Sequence, residues 1–149
     1  MIQDLKNQFL SGINQLESEL NAYSSNELLW KTEGDIKNSA GNLFLHLEGN
    51  LRHYIGHIIG GSSYVRKREL EFSRTSVSIS ELLGGLEWTR KEIITAFDNL
   101  SSEELNDKFP TDVMNREWTN QQFLFHLLGH LHYHLGQINY HRRLIHSNA

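Results

Sequence analysis

The sequence predicts an all-α protein, a four-helix bundle, and three observations carry that expectation. Four segments repeat apolar residues at steps of three and four, the period of a helix with one buried face. The 149 residues include a single proline, whereas sheet proteins need frequent turn punctuation. The length suits one domain whose core needs no covalent staple, so residues 1–149 read as a single unit.

The first segment sets Ile2, Leu5, Phe9, Ile13, Leu16, Leu20 and Tyr23 on one stripe. It predicts a helix from about Ile2 to Ala22, broken by Ser24, Ser25 and Asn26. The second predicts a helix from Asn38 or Ser39 to Ile59, with Leu43, Leu47, Leu51, Tyr54, Ile55 and Ile58 inward. Gly60-Gly61 stops it, as glycine does just past a helix end. A mostly polar linker, 62–77, follows, and its basic run Arg66-Lys67-Arg68 reads as a solvated loop. Ser78 opens the third helix, with Glu81 in capping-box spacing and Leu82, Leu86, Ile93 and Phe97 on the buried face. Gly84-Gly85 inside it costs about 1 kcal/mol per glycine. Either a neighbour or ligand approaches closely there, or the helix bends. A second linker, 101–118, holds Pro110 and a short turn near Ser101 to Leu105. Thr119 and Gln122 form another capping box, and the fourth helix runs from there to about Ile145.

Charge and composition narrow the function. A net charge of −4 disfavours nucleic acid as the main partner, because phosphate binding needs a basic stripe. No window is apolar for long enough to span a membrane. The chain has no cysteine, which removes thiolate ligands and cysteine nucleophiles and fits a reducing compartment. Its N-terminal residues lack the basic-then-apolar order of a signal peptide, so a cytoplasmic location is expected.

Nine histidines are the compositional oddity, and they fall in two groups. On the fourth helix, His126, His130 and His134 are spaced by four, so neighbouring imidazoles share a face and can reach one ion at about 2.0–2.1 Å. The pairs His126/His130 and His130/His134 both qualify, and His132 lies on the far side. On the second helix, His46 sits within a run of leucines, where an unpartnered imidazole is costly to bury. His53 and His57 continue its stripe, 7 and 11 residues further on, too far to share its ion. A core histidine satisfied by a carbonyl or by Gln137 is the plainer alternative for His46. Three neutral imidazoles would leave a divalent ion its full charge and an open fourth position, able to acidify water or polarise a carbonyl.

His130-Leu-His-Tyr-His134-Leu-Gly136-Gln137-Ile138 resembles the His-x-x-x-His-x-Gly-Gln signature of the DinB/YfiT-like superfamily of metalloenzymes. His46, in Leu-His-Leu-Glu-Gly-Asn, resembles the histidine which that superfamily supplies from its second helix. Further similarity to an uncharacterised bacterial branch lies in Asn38-Ser39, in Gly49-Asn50-Leu51-Arg52 and in the stretch from Arg66 to Phe72. The resemblance implies an up-down-down-up bundle with a metal on His46, His130 and His134, and so prefers the second of the two pairs. Zinc or nickel would come first as the ion, with iron or manganese admissible. Relatives include thiol-dependent transferases and isomerases, so a low-molecular-weight thiol cofactor and a small-molecule substrate are implied, and a homodimer is common.

Three functions remain open at this stage. One is a metal-dependent enzyme, thiol S-transferase-like or hydrolase-like, with no catalytic residue assigned. Tyr54, Trp118, Tyr133 and Gln137 are then candidates to line the site. The others are a non-catalytic metal-binding or stress-related protein and a helical interaction module without metal.

Overall fold

The structure is a computed structural model that describes all residues, 1–149, and it is helical throughout, with no strand. Six α-helices follow one another: α1 (Ile2–Ala22), α2 (Asn26–Trp30), α3 (Ala40–Leu51), α4 (Arg68–Ser73), α5 (Ile79–Asp98) and α6 (Asn120–Ser147). Helix α3 continues as a π-helical stretch, Arg52–Ile59, and a short 3-10 turn, Glu104–Asn106, precedes α6. Three of the long helices begin at a side-chain cap, whereas α1 starts after Met1 without one. The Ser78 hydroxyl accepts from the Glu81 N–H, and Thr119 does the same for Gln122; both reciprocal bonds of the capping box are made. Ser39 caps α3 by accepting from the Asn42 N–H.

The four long helical segments contact one another in a ring: α1 with α5 and α6, and α3 with the same two. Their shared core holds many of the residues that the periodicity marked, joined by others such as Leu29, Phe44, Phe109 and Leu124. Phe9, Leu16, Leu20, Leu47, Leu51, Ile93, Phe123 and Ile138 are all but sealed from solvent. Two expectations need correction in the connections. The break after α1 holds the short helix α2, and the linker 62–77 holds α4, which packs on α3. Neither is long enough to show a helical period in the sequence.

The second helix also differs from a continuous α-helix. From Arg52 onward the hydrogen bonds open to wider rings, as in Gly60 N–H donating to Ile55 C=O at 2.9 Å. Neither His53 nor His57 joins the histidines that converge around His46. Instead their rings lie 6.2 Å apart, nearly parallel, and exposed His57 bonds to the Ser62 carbonyl through Nδ1. Gly85 resolves the question of the glycine pair. The Glu48 carboxylate lies against it, and a Cβ there would fall 2.6 Å from Glu48 Cδ, while Gly84 faces open space and α5 stays continuous.

A second buried polar array ties α1 to the far end of α6. His141 donates through Nε2 to the Lys31 carbonyl at 2.7 Å, which leaves Nδ1 to accept from the Tyr23 hydroxyl at 2.7 Å. Burial lowers the His141 pKa from 6.5; the Lys31 carbonyl opposes this, and His146 adds to it. The folded state therefore binds fewer protons than the unfolded chain below pH 6.5. The associated stability is present above that pH and is lost as pH falls toward the depressed folded value. Urea unfolding between about pH 7.5 and about pH 5 should show stability falling with acid. His141→Asn should remove up to about 1.4 kcal/mol per pH unit of that slope; an unchanged slope would assign the acid sensitivity elsewhere.

Candidate metal centre

Helix α3 presents His46 from its buried middle, and α6 presents His130 and His134 one turn apart on the face packed toward it. The three Nε2 atoms converge. His46 Nε2 lies 3.1 Å from His130 Nε2, which lies 3.2 Å from His134 Nε2. One ligating atom from each residue falls within 4.8 Å of the others, and no further His, Asp or Glu joins the group.

These distances can be tested against a metal ion. Two nitrogens each about 2.0–2.1 Å from one ion stand about 2.8–3.4 Å apart at bond angles between about 90° and about 110°. Both measured separations fall inside that range. Three imidazole nitrogens facing each other at this distance present lone pairs to lone pairs unless a cation or protons lie between them. Protons are a poor answer here. Burial, then the neighbouring His134 and His46, pulls the His130 pKa down to about 3. His134 is lowered too, by burial first, although its bond to Gln137 works the other way. Neutral imidazoles with lone pairs converging on one point are the protonation state that a metal site requires.

Two of the three rings are held from behind. His46 Nδ1 donates to Glu71 Oε1 at 3.0 Å, and His134 Nδ1 donates to Gln137 Oε1 at 2.6 Å. Each bond places the proton on Nδ1 and leaves the Nε2 lone pair toward the cluster, as outer partners of metal-bound histidines do. His130 Nδ1 is buried with no partner, so packing alone orients that ring between its two neighbours.

Glu71 is the functional residue that sequence reasoning missed. It comes from α4, is only 5% exposed, and is gripped by Arg66 through two bonds of 2.8 Å. Burial alone would raise its pKa. The hydrogen bonds from Arg66 and His46 outweigh this and hold the carboxyl below its usual value, so it stays an anion. Arg66 therefore leaves the solvated loop assigned to it and turns inward, while Lys67 and Arg68 remain exposed. Gly49 makes room for the pair: a Cβ at that position would lie 2.7 Å from Glu71 Cδ and closer still to Oε2.

The other histidines take lesser places. His126 lies between Trp118 and Phe123, with its ring centroid 6.4 Å from that of His130, outside the converging set. His132 is exposed, and its Nδ1 stands 3.0 Å from the Leu128 carbonyl. Among the residues expected to line the site, Gln137 touches His134 directly and Tyr133 packs edge-on against the His134 ring at 5.2 Å. Tyr54 and Trp118 belong instead to an aromatic cluster around Phe123, and the Trp118 indole N–H donates to the Val113 carbonyl. His134 and Gln137 also form part of the wall of a pocket of about 680 Å³ between α6 and the segment 35–38.

Fold and site together define a helical protein in which two helices bring three histidines to the spacing of a divalent-metal site. Over its whole length, residues 1–149, the chain matches the family described as "Protein of unknown function (DUF1572)", and it belongs to that family. No curated protein matches it. No helix is long and apolar enough to cross a membrane.

Proposed function

We propose that this chain is a DinB/YfiT-like four-helix bundle that holds one divalent ion on His46, His130 and His134 and uses it to transform a small molecule. The up-down-down-up order draws support from the paired residues. Lys6 with Asp98 and Glu17 with Arg90 run in opposite senses, so α1 and α5 are antiparallel. Gly12 near Leu131 and Glu19 with Arg142 advance together, so α1 and α6 are parallel. Glu48 near Gly85 and Arg52 with Glu92 make α3 and α5 parallel. His46 with His130 and Tyr54 with Phe123 make α3 and α6 antiparallel.

One observation carries the catalytic reading. Three imidazole nitrogens converge without a fourth protein donor, and one of the three residues, His134, stands in a pocket wall. A structural metal site is usually closed by four protein ligands, whereas a catalytic one keeps a place for water or substrate. Once held, the ion supplies Lewis acidity, bringing the pKa of a water or thiol toward neutrality and polarising a carbonyl. The chain's own part is to aim His46 through Glu71, itself held by Arg66, and to fix His134 through Gln137. All-imidazole donors suit zinc or nickel first, and accept iron and manganese. Reactions of two classes fit: transfer of a low-molecular-weight thiol to an electrophile, and hydrolysis.

The test is turnover by untagged protein carrying zinc or nickel. Consumption of monochlorobimane with a panel of small thiols would report transfer; cleavage of activated esters would report hydrolysis. The expected result is turnover in one assay that vanishes with His130→Ala and with chelation. Full metal occupancy with no ion-dependent turnover in either would favour a non-catalytic metal-binding protein.

A further inference from the structure

Ten large hydrophobic side chains are left exposed on this protein, and four of them, Ile36, Tyr133, Tyr140 and Leu144, surround the one pocket that His134 lines. Tyr133, Gln137, Tyr140 and Leu144 follow at steps of four, three and four, so they form one face of α6 that no other long helix covers. Tyr133 and Tyr140 are 65% and 72% exposed, and of the two only Tyr140 carries a cation, the Arg143 guanidinium 5.3 Å from its ring centroid. The pocket volume of about 680 Å³ falls within the roughly 300–1,000 Å³ usual for small-molecule sites.

Charge limits what can enter. On the opposing segment, Asp35 and Lys37 flank Ile36, and neither forms a salt bridge. The same pair tolerates a neutral or zwitterionic ligand. The α6 face offers stacking area, and the amide of Gln137 is already committed to His134.

We infer that this pocket is the substrate site of the metal centre, and that it takes an aromatic small molecule with an oxygen or sulfur metal-binding group at one end. The aromatic body lies along Tyr133, Tyr140 and Leu144, and the donor end reaches the ion past His134. This inference rests on the metal reading, because the donor end is assigned to the ion.

Two hydroxamic acids that differ only in the group behind the same chelating head provide the test. Cobalt-loaded protein is titrated with acetohydroxamic and benzohydroxamic acid, and binding is followed by the visible absorption of the cobalt ion. Benzohydroxamate should bind about tenfold more tightly or better, from the apolar area of its ring. Tyr140→Ala and Leu144→Asp, both surface changes, should each remove most of that advantage while leaving acetohydroxamate unchanged. Equal affinities, no response to either acid, or a preference that survives both substitutions would overturn the pocket assignment while the cobalt spectrum kept the metal reading intact. Failure to take up cobalt at all would defeat both.

Discussion

Alanine at His46, His130 or His134 should reduce bound metal from about one ion per chain to nearly none, while alanine at His132 leaves it unchanged. Structural zinc sites with four ligands bind with apparent free energies of about 10–16 kcal/mol, so one ligand in such a set is worth roughly 3–4 kcal/mol. Removing one of three should cost at least that, a fall of roughly 10²–10³-fold in affinity. His130 should be the most sensitive of the three. Its Nε2 lies within 3.2 Å of both other nitrogens, so its loss leaves His46 and His134 facing across a gap. His132 is a fair control because it shares the helix and the chemistry but points to solvent. Elemental analysis after dialysis reads the occupancy. Thermal unfolding gives a second view, since an ion present at about 1,000 times its dissociation constant adds about 4 kcal/mol to the wild type and should add little to the three variants. Equal metal in all four proteins would show that the triad is not the ligand set.

Much of this centre was legible in the residues, for identifiable reasons. A histidine four residues from another on a helix, and a histidine buried among leucines, each carry a physical signal that needs no neighbour to interpret. The choice between His126/His130 and His130/His134 did not have that quality, because both pairs have the same spacing. What separates them is the aromatic packing around His126 of Trp118, from the loop before α6, and Phe123, on α6 itself. Glu71 was out of reach for a different reason. It acts on a residue 25 positions away, from a helix of six residues in which Arg68, Glu69 and Leu70 are exposed. Gly49 offered a faint clue, since a buried glycine inside a helix asks what approaches it, and the same question at Gly85 leads to Glu48. The π-helical stretch left no trace, because Leu51, Ile55 and Ile58 are spaced as well for an α-helix as for the wider turn that they adopt.

Glu71→Ala should damage stability and metal binding together, and the two losses should be separable. Arg66 is almost fully withdrawn from solvent, and Glu71 supplies its two short bonds, so truncating the carboxylate strands a buried cation. Breaking such a pair typically costs about 3–5 kcal/mol, most of it from the charge left behind. Replacing both members by apolar residues of similar size removes that penalty, so Arg66→Met/Glu71→Leu should recover most of the lost stability in urea unfolding. Metal affinity should not recover with it. His46 Nδ1 donates to Glu71 Oε1, and without an acceptor the ring loses both its orientation and the electron density that strengthens Nε2 as a ligand. Loss of an outer partner of this kind typically weakens metal binding by about 10–100-fold. The double variant should therefore be folded, close to wild type in stability, and about 10–100-fold weaker for zinc in a competitive chelator titration. Wild-type affinity in that protein would mean that the carboxylate serves only to neutralise Arg66 and that packing alone aims His46.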